Sequence, residues 1–197
     1  FERIGLTIIR ALNLVIVKTK ESLHYAIDSY HAPKHYEKRI DRKHKLYLKL
    51  SITGQTQKPF LIEDFAITDK HCHDTKHIRP IIKRFKRINK IIFADKGYDE
   101  KLHLNVKENG NYLHCPLREM SKNPKGFLRR KTNKIFKTEI YNERNKIETM
   151  FLIKNTGIVI RSKKRNNKIK ELAWKILSYN IERLTKFLQK LWLIIIS

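Results

Sequence analysis

The amino-acid sequence predicts an α/β fold, in which helices cover a mixed sheet. Short segments with strand patterns come first, and helical and strand segments then alternate toward the end of the chain. Hydrophobic residues make up 41% of the 197 residues, which is enough to bury one core and argues against extended disorder.

The strand predictions rest on alternation and on apolar runs. Residues 23–28 alternate and end on Asp28, whereas residues 91–94 are continuously apolar, as in a strand buried on both faces. Gly97 follows that run and marks a loop. Further strands are predicted over residues 35–40, 46–53, 59–68 and 112–117.

The helix predictions rest on apolar residues that recur at helical spacing. The helix over residues 74–87 begins with Asp74, a favourable N-cap, and the segment over residues 140–154 has the clearest pattern. Residues 119–138 are basic, contain a proline and a glycine, and are predicted to form a loop. Further helices are predicted over residues 1–20, 100–108 and 167–196.

The charge predicts an anionic partner. The chain has 44 Lys and Arg against 19 Asp and Glu, a formal net charge of +25, and the cations are spread from end to end. A basic surface of this kind favours nucleic acid. No apolar run reaches the roughly 18 residues of a membrane-spanning helix, so we expect no membrane partner. Two cysteines support neither a disulfide framework nor a cysteine-based zinc site, which fits the cytoplasm.

Three carboxylates stand out against this basic background. Asp28 and Asp95 each end or follow a predicted strand, and ligands of α/β sheets gather at the carboxyl ends of strands. Glu148 follows Tyr141 and Arg144 at helical spacing, so these three side chains lie within about 60° of one another. Converging carboxylates hold Mg²⁺, and an adjacent arginine binds phosphate. The alternatives are ordinary turn residues for the two aspartates and a surface ion pair on the helix.

Five segments carry a resemblance to a known family. HDTKHIRPII, IIFADKGYDE, CPLR, YNERNKIET and ELAWKILSYNIERL together resemble DDE-type transposases of bacterial and archaeal insertion sequences, over roughly residues 22–185. The resemblance implies an RNase H-like fold with a mixed five-stranded sheet flanked by helices. It also implies DNA cleavage and strand transfer with two Mg²⁺ ions, for which Mn²⁺ substitutes.

By the same resemblance, the catalytic and metal-binding triad is Asp28, Asp95 and Glu148. The implied partners are DNA, as transposon ends and as target, and a second copy of the chain in a homodimeric active complex. Contacts to DNA phosphates near the cut are expected from basic residues around the triad and from the tyrosine of the helical signature. These residues are Lys96, Arg118, Tyr141, Arg144, Lys154, Arg161 and Lys163.

The chain also departs from the family pattern. The signature continues with a lysine seven residues after the glutamate, whereas Asn155 stands there and the lysine is Lys154. The chain lacks the usual glycine-containing loop after Asp28, and the sequence begins with Phe1. We therefore expect a truncated copy. Two alternatives stay open: an inactive remnant that binds nucleic acid by charge alone, and an RNase H-like nuclease without strand transfer.

The expected organisation has three parts. Residues 1–20 form an amphipathic helix that remains from an N-terminal region. Residues 21–190 form the catalytic domain, with a basic insertion at 119–138, and residues 191–197 form an apolar tail.

Two further features are interpreted as structural and not as functional sites. Trp174 and Trp192 lie among apolar residues at helical spacing and are expected in the core, not on a base-stacking surface. Residues 70–74, KHCHD, resemble a metal cluster but lack the second ligand pair of a zinc site.

Overall fold

The computed structural model contains one sheet with helices on both faces. It describes residues 2–18, 21–32, 48–69, 74–95, 100–116, 127–134, 136–150 and 160–196. The strands in these ranges are β1 (His24–Ala32), β2 (Leu48–Gln55), β3 (Ile62–Asp69), β4 (Ile91–Phe93) and β5 (Tyr112–His114). The helices are α1 (Glu2–Lys18), α2 (Asp74–Arg84), α3 (Glu100–Glu108), α4 (Phe127–Lys134), α5 (Thr138–Tyr141), α6 (Asn145–Met150) and α7 (Arg165–Ile196), with a 3₁₀ turn at Asn142–Arg144.

The sheet has the strand order β3-β2-β1-β4-β5. β1 pairs antiparallel with β2 and parallel with β4, while β2–β3 is antiparallel and β4–β5 is parallel. This confirms the predicted α/β class and the mixed five-stranded sheet flanked by helices.

The side chains of the sheet feed two hydrophobic clusters, one on each face. Ala26 of β1 belongs to the cluster that α1, α6 and α7 complete, whereas its neighbours Tyr25 and Ile27 belong to the cluster with α2 and α3. This alternation is the period of two expected of a strand buried on both sides. α6 packs on the face of the sheet that carries Ala26. Polar side chains of β1 on this face therefore lie against α6 and the 3₁₀ turn that precedes it.

Polar side chains from three helices cover the outer strand β3. Asn180 accepts a hydrogen bond from Ile62 N and donates one to Ile62 O, both at 2.8 Å. Asn13 also donates to Ile62 O, at 2.9 Å, while Arg10 and Arg84 donate to the carbonyl oxygen of Phe65 at 3.3 and 3.1 Å. We call these four side chains the edge clasp: Arg10, Asn13, Arg84 and Asn180.

The edge clasp attaches α1 to the sheet and to α7. The side chain of Asn180 also donates to Asn13 Oδ1 within the fully buried part of the structure. Ile9, on the same helix as Asn13, is 2% exposed and belongs to the cluster on the α7 face. The proposed division of the chain at residues 20 and 190 stays a prediction.

Most predicted elements are present, with shifted ends. The prediction that a strand ends at Asp28 is wrong, because β2 pairs with β1 as far as Ala32↔Leu48 and the strand continues. The last predicted strand ends at His114, before residue 117. The strand predicted over residues 35–40 and the cluster at 70–73 lie outside the described residues.

The predicted basic loop contains a helix. α4 occupies Phe127–Lys134, where we expected irregular structure over residues 119–138. The proline and glycine of this segment precede Phe127, and the leucine, arginines and lysines that follow are good helix formers. Residues 117–126 lie outside the described ranges.

The prediction that both tryptophans are in the core is wrong. Trp174 is 54% and Trp192 is 64% exposed. α7 is a single helix, and Trp174 lies about 200° around it from Leu172, on the side away from the sheet. Trp192 lies beyond Asn180, the last buried residue of the helix. None of the helices in the described ranges is long and apolar enough to cross a membrane.

Candidate active site

Asp28 lies inside β1, on the face that meets the helical segment after Tyr141. One carboxylate oxygen, Oδ1, accepts a hydrogen bond from Ser29 N at 2.7 Å. The other, Oδ2, is 3.0 Å from Nη2 of Arg144. The two side chains of this ion pair are 23% and 16% exposed, so solvent screens it only in part.

Asp95 lies at the same level of the sheet as Asp28. β1 and β4 are parallel and their last paired residues are Ala26 and Phe93, so each aspartate comes two residues after that pair. Asp95 is exposed and lies two residues after the end of β4. The charges of Asp28 and Asp95 both act on the phenol of Tyr141, so both carboxylates lie near that side chain. The structure therefore brings these two predicted site residues to one region.

Tyr141 places a phenol beside both aspartates. Its hydroxyl donates to the carbonyl oxygen of Ala94 at 3.3 Å. Burial raises the pKa of Tyr141 to about 12; Arg144 lowers it, and the charges of Asp95 and Asp28 raise it. The phenol therefore keeps its proton at neutral pH and acts as a donor. We call the four residues that meet here the carboxylate rim: Asp28, Asp95, Tyr141 and Arg144.

The segment predicted as a helix over residues 140–154 is helical from 140 to 150 with a 3₁₀ turn inside it, and residues 151–154 lie outside the described ranges. α5 ends at Tyr141, a 3₁₀ turn spans Asn142–Arg144, and α6 covers Asn145–Met150. A 3₁₀ turn has about three residues per turn, so Tyr141 and Arg144 still share one side. The predicted spacing therefore placed Tyr141 and Arg144 on one side correctly, although the turn that contains Arg144 is 3₁₀ and not α-helical.

Glu148 is on α6, and its backbone is held against the sheet. Its neighbours Ile147 and Met150 are fully buried in the cluster that includes Ala26. The side chain of Glu148 lies outside what the structure describes, so its convergence with the two aspartates stays a prediction. Lys96, Arg118 and Lys154 also lie outside the described residues.

The two remaining predicted phosphate contacts lie in the segment before α7. Arg161 and Lys163 are exposed. The Glu171 carboxylate holds this segment, because it accepts hydrogen bonds from Arg161 N at 3.0 and 3.1 Å and from Ser162 N at 2.9 Å. Partial burial raises the pKa of Glu171, but these N–H groups and Lys175 outweigh burial and lower it to about 2.

A second polar cluster lies beside the carboxylate rim, and no sequence pattern predicted it. Glu143 Oε2 lies 2.8 Å from Nδ1 of His24 and 2.9 Å from the hydroxyl of Thr56. These three residues are far apart in the chain and follow no recognisable spacing. The position of Glu143, directly before Arg144 in the helical signature, was the single available hint.

The donors at the carboxylate rim fit a divalent cation. Mg²⁺ and Mn²⁺ prefer carboxylate oxygens, and two aspartates are present there with one oxygen of Asp28 already held by a backbone N–H. Among the side chains that the structure describes, no three His, Cys, Asp or Glu residues form a metal-binding group. A third carboxylate would come from Glu148, whose side chain is outside that description.

Comparison with protein families agrees with this geometry. A family model described as "Transposase DDE domain" matches residues 19–181, which include both aspartates and the whole helical signature. The comparison with curated proteins gave no match, and neither did the comparison with solved structures.

Proposed function

Because the chain belongs to the transposases with a DDE domain, which have an RNase H-like fold, we propose that its carboxylate rim performs metal-dependent cleavage and strand transfer of DNA. The observation that supports this most directly is the meeting of Asp28 and Asp95 beside one arginine and one protonated tyrosine. Two carboxylates in a chain of net charge +25 form a local site for cations on a surface suited to anions.

In this proposal Asp28, Asp95 and Glu148 hold two Mg²⁺ ions, with Mn²⁺ as a substitute. Such ions, when bound, activate a water or a DNA 3′-hydroxyl and stabilise the leaving oxygen. Asp28 is well suited to this role because its strand is paired on both sides and its Oδ1 is held by Ser29 N. Oδ1 therefore keeps a fixed direction, and a cation bound by Asp28 would share its carboxylate with Arg144, which is 3.0 Å from Oδ2.

Arg144 and Tyr141 position the site. The guanidinium group of Arg144 fixes the second oxygen of Asp28, and a guanidinium group is a favourable partner for a phosphate oxygen. Tyr141 stays protonated and ties the end of β4, just before Asp95, to the end of α5.

The DNA would lie on the basic surface around the rim, as transposon ends and as target. Arg161 and Lys163 are exposed and available to phosphates, and we assign Lys96, Arg118 and Lys154 the same role from their sequence positions. Because such contacts release counterions, DNA affinity should fall steeply with salt. We further propose a homodimer in the active complex and a cytoplasmic location, together with the nucleoid.

The test is a plasmid-nicking assay with Mg²⁺ or Mn²⁺. The wild type should cut, Asp95→Asn should not, and Asp64→Asn should cut normally. Asp64 is a matched control because it is also a strand aspartate paired with an arginine, Arg84, but lies on β3. Salt-dependent DNA binding without any cutting by the wild type would overturn the proposal in favour of an inactive remnant.

A strand-transfer assay separates the proposal from the nuclease alternative. A labelled DNA end with a free 3′-hydroxyl should become joined to a target plasmid in the presence of the wild type. Nicking that is never accompanied by joining would leave a nuclease and remove the strand-transfer part of the proposal.

A further inference from the structure

We propose that Glu143 is a positioning residue that holds Arg144 against Asp28 through its bonds to His24 and Thr56. This inference rests on the function proposed for the carboxylate rim, and it adds a device that keeps the rim assembled. The carboxylate of Glu143 binds His24, which lies four residues before Asp28 on β1, so it is not assigned to the metal-binding group.

The segment around Arg144 is attached to the sheet at three places. Tyr141 donates to Ala94 O at 3.3 Å, at the end of β4. Glu143 binds His24 and Thr56, at the start of β1 and just after β2, at 2.8 and 2.9 Å. Arg144 reaches Asp28 at 3.0 Å. Three attachments within four consecutive residues fix both the place and the rotation of this turn.

Glu143 and Arg144 reach in opposite directions along β1. His24 and Asp28 are four residues apart on one face of the strand, which separates them by about 13 Å. The residue between them on that face is Ala26, which is fully buried under the turn. The small side chain of Ala26 lets the turn approach the strand, and the two flanking polar residues then hold it from both sides.

The hydrogen-bonding chemistry of Glu143 admits one arrangement. An ionised carboxylate only accepts, so the hydroxyl of Thr56 donates and Nδ1 of His24 carries a proton. The partners are themselves fixed: Thr56 N donates to His24 O at 3.1 Å, and the His24 ring meets Phe93 edge-on at 5.5 Å between centroids. Glu143 is therefore bonded to groups that cannot follow it if the turn rotates.

The turn needs this attachment because it is a 3₁₀ turn. Its hydrogen bonds have poorer geometry than those of an α-helix, and it rotates about 120° per residue instead of about 100°. If Asn142–Arg144 relaxed to α-helix, each residue would turn by about 20° relative to the present structure. Arg144 would then swing away from Asp28 while α5 and α6 could persist.

The test measures the energetic coupling of Asp28 and Arg144. Urea unfolding of Asp28→Asn, Arg144→Gln and the double variant gives this coupling, first in the native background and then with Glu143→Ala. We expect a measurable coupling in the native background and its loss with Glu143→Ala. Glu139→Ala is the matched control, because Glu139 is an exposed glutamate on the preceding helix, and it should leave the coupling unchanged.

An equal coupling with and without Glu143 would overturn the proposal. If Glu143→Ala does not fold, the coupling of Asp28 and Arg144 is measured with Thr56→Val and with Glu143→Gln instead. Thr56→Val removes one donor and should weaken the coupling. Glu143→Gln keeps an acceptor oxygen for Thr56 and should retain part of the coupling. A coupling that neither variant changes would also overturn the proposal.

This experiment gives a result whether or not the protein cuts DNA. An inactive wild type would defeat the proposed function and leave the measured coupling standing. If the wild type cuts, Glu143→Ala should lower kcat about tenfold, because Arg144 loses its position beside Asp28 although Glu143 itself touches neither DNA nor metal in this scheme. Normal kcat in a variant that has lost the coupling would show that the attachment has no role in catalysis.

Discussion

An arginine meets a strand carboxylate in two regions of this molecule, and the two regions differ in how far their carboxylates are exposed. On β3, Arg84 pairs with Asp64 at 2.8 Å and Arg87 pairs with Glu63 at 2.9 Å, and the side chains of these two carboxylates are 14% and 7% exposed. At the carboxylate rim, the side chain of Asp28 is 23% exposed beside Arg144, and Asp95 is exposed. The carboxylates of β3 thus belong to a largely buried network, whereas those of the rim are accessible to a ligand.

The comparison separates two properties of a carboxylate: a shifted pKa and a place in a functional site. Burial raises the pKa of Glu63, which is 7% exposed, although its bond to Arg87 lowers it. The shifted pKa of Glu63 reports burial in a structural network, whereas two accessible carboxylates at one level of the sheet indicate a place for a cation.

The largest effect is expected for Asp28→Asn. Loss of one metal ligand should lower the rate of DNA nicking by about 10³-fold or more. The free energy of unfolding should fall by only about 1 kcal/mol, because the pair with Arg144 is partly exposed. Nicking and urea unfolding are measured in parallel. A variant that is strongly destabilised but still cuts DNA would contradict this prediction.

Glu63→Ala should give the opposite pattern. It removes the main hydrogen-bond partner of Arg87 together with a buried side chain, which we expect to cost about 2–4 kcal/mol of unfolding free energy. Nicking per folded molecule should be unchanged. Glu182→Ala is the control, because Glu182 forms an exposed pair with Lys186 on α7 and should unfold like the wild type.

Asn180→Ala tests whether β3 depends on the edge clasp as well as on its ion pairs. The substitution removes the bonds to Ile62 N and Ile62 O and leaves Asn13 with one partner fewer, at a cost of about 2 kcal/mol. Thermal or urea unfolding measures it, with the exposed Asn167→Ala as control. A neutral result would mean that water or neighbouring groups satisfy β3 equally well.

The smallest expected effect is a pH dependence set by Glu171. Its pKa in the folded protein is about 2, below the ordinary 4.5, so its contribution is complete above pH 4.5 and is lost as the pH falls toward 2. We expect wild type and Glu171→Gln to differ by about 1–2 kcal/mol at pH 6 and to converge near pH 2. Glu63 acts in the opposite sense, because a raised pKa costs stability as the pH rises above its ordinary value.

The sequence predicted the parts of this structure that local pattern determines. The apolar run over residues 91–94 became β4, and Asp95 follows it as expected. The helix predicted over residues 100–108 is α3, with the same ends. These elements are buried on one or both faces, so their periodicity or continuous apolarity records the packing directly.

The parts that the sequence did not predict depend on partners distant in the chain. β1 continues past Asp28 because β2 pairs with it there. The turn before Arg144 is 3₁₀ in a structure where Glu143 binds residues more than 80 positions away. Local propensity favours a continuous helix at this segment, and tertiary contacts override that preference.

The edge clasp also bears on how copies of this chain behave at high concentration. An outer strand with free backbone groups is a template on which a second molecule can add a strand, and this is a common route to aggregation. On β3 the edge clasp already occupies Ile62 N, Ile62 O and Phe65 O, with side chains from α1, α2 and α7. Strand addition at Ile62 and Phe65 would first have to displace these side chains, so the clasp protects this part of β3 against pairing with a second copy.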